Sequence, residues 1–222
     1  MDLVGAERAA TVDPADIVEP LVHCVEGLRE KYEFEAAFFS GGLAAVPRVR
    51  SALLGARCSF AIELGPDGAF VAHRGGAYLL HQRGYQEGLV VDVGQTSVKV
   101  STISGTRKIH VRPQGKTGLA AASFVSQCIQ MVEALSLPRA MVLALPCEVS
   151  DDCVVGECTY DWADDERIIP RMLLNLPSIS EVMVLNDAEL AAVSARQILE
   201  NRYRGILVLT LGFGPGAALI EA

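Results

Sequence analysis

Two carboxylates stand where apolar runs stop. Leu89-Val90-Val91 leads into Asp92, and Val182 to Leu185 leads into Asn186-Asp187. An acid at the end of a buried strand reaches a sheet edge, where it can meet a ligand. Asp92 is followed by Val93-Gly94-Gln95-Thr96-Ser97-Val98-Lys99. That is a glycine and hydroxyl turn between two strand-like runs. Backbone N–H groups and hydroxyls in such a hairpin can cradle phosphate oxygens, and Gly94 lets the backbone come close. Asp92 suits Mg²⁺ held through water, because Mg²⁺ favours carboxylate together with phosphate ligands. For Asp187 two roles are open. It can cap the helix that begins behind it, or it can accept the proton of a substrate hydroxyl during phosphoryl transfer.

Two further apolar runs end in glycine. Leu209-Thr210-Leu211 precedes Gly212-Phe213-Gly214-Pro215-Gly216, and Ala37-Phe38-Phe39 precedes Ser40-Gly41-Gly42. A strand ending in Gly-Gly before a helix lets a flat ring lie against backbone. Arg74-Gly75-Gly76-Ala77 follows in a small-residue stretch. Taken singly, each of these is also compatible with a plain hairpin or with tight packing.

The elements that must position these residues follow from periodicity and punctuation. Asp13-Pro14 predicts a helix start, with Ile17, Leu21, Val25 and Leu28 at helical spacing through about Glu33. Strands are expected over 36–39 and 58–62, and helices over 47–54 and 67–81. From Gly88 the texture changes to strands at 89–92, 97–103 and 108–111, with Gly105 at a turn. A helix over 119–135, a strand over 141–145 and an acidic loop over 150–166 come next. A short helix over 168–174, a strand over 182–185 and a helix over 188–201 follow. A strand over 206–211, the glycine turn and a strand over 217–220 close the chain. This is an α/β pattern of mixed sheets with flanking helices.

Together the four segments resemble the actin, Hsp70 and sugar kinase superfamily, and within it the ROK (repressor, ORF, kinase) branch. Asp92 to Lys99 is similar to the first phosphate loop, D-x-G-x-T-x-x-K, and Gly212 to Gly216 to the second. Asn186-Asp187-Ala188 resembles the connecting segment, and Ser40-Gly41-Gly42 with Arg74 to Ala77 the adenosine motif and its closing helix. The resemblance implies a two-lobed, ribonuclease H-like ATPase fold with a nucleotide cleft between the lobes. It implies Mg²⁺ and ATP as cofactors, with Gly94, Gln95, Thr96, Lys99, Gly212, Gly214, Gly216, Gly41 and Gly42 at the nucleotide. It makes Asp187 the base, Asn186 a contact of the substrate, and Asp92 the holder of Mg²⁺. The implied reaction is phosphoryl transfer to a small-molecule hydroxyl, with sugars among the acceptors. The same fold also supports a non-catalytic nucleotide-binding or protein-interaction module.

The motif order departs from that family, because the adenosine-like segment comes first. A circular permutation produces this order, and so does a fragment of a tandem protein. The permuted reading predicts one discontinuous lobe from 14–84 plus 205–222, another from 88–201, and a tail over 1–13. Gln95 stands where ROK kinases usually carry Gly. The family's Glu-x-Gly-His sugar motif and zinc cysteines are missing.

The bulk composition is consistent with this reading. Charged residues make up 21% of the 222, and the net charge is −8. That excludes a disordered chain and argues against a general nucleic-acid partner, which needs clustered Lys and Arg. The six cysteines, at 24, 58, 128, 147, 153 and 158, have no CxxC pair and are expected as free thiols rather than zinc ligands. The N-terminus lacks a basic n-region, and no apolar run is long enough for a bilayer span. The expectation is a cytoplasmic protein without a membrane partner, with a homodimer left open.

Overall fold

The computed structural model describes residues 11–94, 97–111, 125–131, 139–150, 153–155, 176–212 and 215–221. Gln95, Thr96, Gly214 and the helix expected over 168–174 lie outside these residues. So does the helix expected over 119–135, except for a helical segment at 125–130. The chain divides into two compact units. Unit 1 joins residues up to Val71 to those from Ala191 onward, and unit 2 runs Ala72–Leu190.

Unit 1 holds a four-stranded sheet. Its strands are β1 (Ala36–Ser40), β2 (Ala61–Leu64), β10 (Gly205–Leu211) and β11 (Pro215–Glu221), in the order β11-β10-β1-β2. β1 runs parallel to both β2 and β10, while β11 runs antiparallel to β10. Every residue of β1 is buried, as expected for a parallel strand covered on both faces. Its odd and even residues serve different cores. Ala37 and Phe39 pack with Leu207, Leu209 and Leu211 beneath α1 (Pro14–Arg29) and α2 (Pro47–Gly55). Phe38 packs on the other face with Ile206, Val208, Ala191, Ala195 and Leu199. The Asp13 carboxylate caps α1, accepting from the Ala15 N–H at 3.0 Å. The strand expected over 58–62 begins three residues later. The polar groups of Ser59 explain the shift. Its N–H goes to the Glu26 carboxylate at 2.7 Å and its carbonyl to the Arg29 guanidinium at 2.5 Å, so neither joins the ladder.

Unit 2 holds a five-stranded sheet of β3 (Leu89–Val93), β4 (Ser97–Thr102), β5 (Arg107–Val111), β6 (Ala140–Leu145) and β9 (Glu181–Asn186). The order is β5-β4-β3-β6-β9. The β3-β4-β5 meander is antiparallel, and β3, β6 and β9 are parallel. One face buries Leu89, Val91, Val98, Val100, Met141 and Leu143. The other buries Val90, Val142 and Ala144 with Ala72, Leu80 and Leu190. A short hairpin of β7 (Glu148–Ser150) and β8 (Cys153–Val155) occupies part of the stretch expected to be loop. Three-residue strands are too short to show alternation in a sequence.

The division falls inside two helices, α3 (Val71–Gln82) and α4 (Asp187–Leu199), and not at the expected 84/88 and 201/205 junctions. Packing accounts for this. Ala72 and Leu80 of α3 share a core with Val90, whereas Ala191, Ala195 and Leu199 of α4 share one with Phe38 and Val208. No helix among the described residues is long and apolar enough to cross a membrane.

Gly76 sets how closely α3 approaches β3. A Cβ there would stand 2.5 Å from both methyl groups of Val90, and no staggered rotamer of the valine clears both positions. Gly76→Ala is therefore expected to destabilise the protein by about 1–2 kcal/mol, overpacking outweighing the helix propensity of alanine. Exposed Gly27 in α1 has no atom within 4 Å of such a Cβ, so Gly27→Ala should stabilise by roughly 0.5–1 kcal/mol. Urea denaturation of the two variants checks the opposite signs.

Candidate functional site

In unit 2 the candidate residues gather at the C-terminal ends of parallel strands. Asp92 pairs in register with Ala144, Ala144 with Leu185, and Leu145 with Asn186. Asp92 lies on the same face of β3 as Val90. Its carboxylate Oδ2 accepts from Lys99 Nζ at 2.7 Å, and the two are also a cross-strand pair between β3 and β4. Their side chains are 16% and 17% exposed. At that burial, removing one partner leaves a costly uncompensated charge. The other oxygen of Asp92 has no hydrogen-bond partner among the described residues. Gly94 donates its N–H to the Ser97 carbonyl at 2.8 Å, so that donor serves the turn itself.

The junction of β9 and α4 assigns the cap to Asn186. Its Oδ1 accepts from the Ala188 N–H at 2.8 Å, and Glu189 Oε2 accepts from the Asn186 N–H at 3.1 Å. This is a reciprocal capping arrangement. Asn186 Nδ2 also donates to the Cys147 carbonyl at 2.9 Å, which ties the cap to the end of β6. The Asn186 amide, expected at the substrate, is thus engaged structurally through both of its polar atoms. The Asn-x-x-Glu spacing of residues 186–189 was the sequence signal for this cap, and it was missed.

Asp187 is therefore released from capping. It begins α4 half-buried, and its pKa is pushed up to about 6, first by burial and then by the Asp92 carboxylate. The Ala188 N–H and the Lys99 ammonium pull the other way. A carboxylate held in that range can take up a proton near neutral pH and release it again. Behind the site, His73 of α3 bonds the buried Ser101 hydroxyl at 2.6 Å, a link the sequence did not suggest.

In unit 1 the two glycine turns are neighbours at one end of the sheet, past the inner strands β1 and β10. Ser40 pairs with Thr210, and the Leu43 N–H donates to the Leu211 carbonyl at 3.0 Å. Gly41 has φ of 92°, and a Cβ there would meet the Leu211 carbonyl oxygen at 2.6 Å. Only glycine fits both demands. Gly42 differs, since a Cβ there meets nothing within 4 Å. Gly212 follows β10, and Gly216 pairs with Thr210. The Thr210 hydroxyl, beside both turns, is buried without a hydrogen-bond partner among the described residues. A cavity of about 900 Å³ lies at the opposite end of this sheet, beside Phe34 and Gly205. There the Ser59 hydroxyl accepts from Arg29 and donates to Glu26, which joins both to the approach of β2.

Among the described residues, no group of three or more His, Cys, Asp or Glu side chains is placed to hold a metal ion. Cys24, Cys58 and Cys128 are free thiols, but Cys147 is disulfide-bonded, which corrects the expectation of six free thiols. The structure defines an α/β protein whose polar candidates cluster at the C-terminal ends of parallel strands. No protein-family model and no curated protein matches the chain.

The raised pKa of Asp187 has a consequence for stability. Its folded value lies above the ordinary 3.8, so ionisation opposes folding as pH rises from about 4 to 6. Asp187→Asn cannot ionise. It should come close to the wild type near pH 4 and exceed it by up to about 3 kcal/mol above pH 7. Urea denaturation at both pH values checks this, and equal stability at both would contradict the assignment of a buried, raised carboxylate.

Proposed function

We propose that the protein is an ATP-dependent phosphoryltransferase acting on a hydroxyl of a small molecule, with sugars the first acceptors to test. In this proposal the fold is a permuted, two-lobed actin-like ATPase. The observation that carries the reading is Asp187, a half-buried carboxylate freed from capping by Asn186 and raised to about 6 beside Asp92. Its role is to accept the proton of the acceptor hydroxyl as the oxygen attacks the terminal phosphoryl group. Asn186 and Glu189 hold the helix start that aims it. Asp92, with one oxygen on Lys99 and the other without a described partner, fits a water-mediated Mg²⁺ site. Bound Mg²⁺ would neutralise charge on the phosphates. Gly41, Gly42, Gly212 and Gly216 offer backbone that a nucleotide can approach. The fold proposal is supported by repetition: β11-β10-β1-β2 and β4-β3-β6-β9 share one order and one set of directions.

One observation favours a second reading, a nucleotide-binding module without transfer. Lys99 already neutralises Asp92, which leaves less need for a cation there.

Mg-ATP at millimolar concentration is expected to raise the melting temperature by several degrees, as binding to the folded state does. An unchanged melting temperature would sink both readings. ADP release with a panel of sugars separates them. If transfer occurs, its rate should rise with pH through about 6, and Asp187→Asn should lower it by roughly 10²–10⁴ while sparing ATP binding. Gly42→Ala adds a methyl group in open space, so it should weaken ATP binding without lowering stability. Full ATP affinity in that variant would remove Gly42 from the nucleotide site.

A further inference from the structure

We infer that Lys99 keeps free Mg²⁺ off Asp92, so that the metal reaches this carboxylate only in company with a phosphate group. The inference rests on the reading of Asp92 as the Mg²⁺ holder. The ion pair itself carries it. Lys99 Nζ stands 2.7 Å from Asp92 Oδ2, with side chains 17% and 16% exposed. The two residues face each other across β4 and β3, so strand register brings the charges together. A bare cation that approaches Asp92 meets a carboxylate already neutralised and an ammonium that repels it.

The protein by itself also offers the metal few ligands. Mg²⁺ is usually held by one or two carboxylates together with phosphate oxygens. Here Asp92 keeps one oxygen without a described partner. Asp187 is the second carboxylate, and it interacts with both Asp92 and Lys99. Two acids thus share one ammonium. Among the described residues, no third His, Cys, Asp or Glu completes a metal set.

A phosphate group changes both conditions. An ammonium has three donors, and among the described residues Lys99 uses one of them, on Asp92. Its Nζ also lies at the glycine turn, 3.7 Å from the place a Cβ on Gly94 would take. A phosphate at that turn would give Lys99 a second anion and give the metal the oxygens it lacks. Without Lys99 the preference reverses. Asp92 is then a buried, unpaired carboxylate with Asp187 nearby, and free Mg²⁺ relieves the uncompensated charge.

Thermal melting of the full chain in millimolar MgCl2, at constant ionic strength, tests this. The wild type should not move, whereas Lys99→Met should gain several degrees, as a folded state does when it binds a ligand. The double variant Asp92→Asn, Lys99→Met lacks both charges and should again ignore MgCl2. If Lys99→Met is unfolded in plain buffer, MgCl2 should restore its circular dichroism. A wild type stabilised by MgCl2 alone overturns the proposal. So does a Lys99→Met protein, folded or not, that MgCl2 leaves unchanged, and so does a double variant that still responds. Mg-ATP on the wild type separates this inference from the nucleotide reading. A melting temperature raised by Mg-ATP, beside a Lys99→Met protein blind to MgCl2, sinks the inference and spares that reading. The reverse pair of results sinks the nucleotide reading and leaves the exclusion of free metal standing.

Discussion

Parallel strands buried on both faces leave polar side chains few places to stand. In unit 2, Leu89, Val90 and Val91 point to alternate faces and all are buried, and β6 is buried along its whole length. A charge midway along such a strand would lose its water with no partner. The strand ends are free of that penalty, and Asp92, Asn186 and Asp187 sit there. In unit 1 the same constraint places Gly41 and Gly212 past the ends of β1 and β10. The packing of the sheets therefore decides where the polar candidates are found, before any question of what they bind.

Within unit 2, a division of labour at one helix start gives the site its chemical character. Asn186 and Glu189 satisfy the exposed backbone groups of α4, and the Cys147 carbonyl fixes the Asn186 amide. Asp187 needs no structural role there. Its carboxylate answers to burial and to Asp92, which raise its pKa, and to Lys99, which restrains it. Lys99 thus stabilises one acid directly and moderates the other at longer range.

Much of the fold was legible from periodicity. The burial of β1 on both faces, the α1 start at Asp13-Pro14 and the strand-to-helix step at 186–187 all follow from residue pattern. The misses have local physical reasons. The strand at Ala61 starts late because Glu26 and Arg29 take the polar groups of Ser59, and a contact across some thirty residues leaves no periodic trace. The β7–β8 hairpin was hidden by its short strands. The Cys147 disulfide was not signalled by cysteine spacing.

By itself the sequence determined which segments are strands and helices, and which strands end in an acid or a glycine turn. Alternation and capping signals are local properties, so a linear reading recovers them. The Asn-x-x-Glu spacing behind the Asn186 cap belongs with those local signals. Tertiary structure alone decided that Lys99 lies on Asp92, and that the Gly41 and Gly212 turns adjoin. Each of these depends on strand register, which aligns residues far apart in the chain to within a few ångströms. The pKa of Asp187 belongs to the same class, because burial and a neighbouring charge exist only once the sheet has formed.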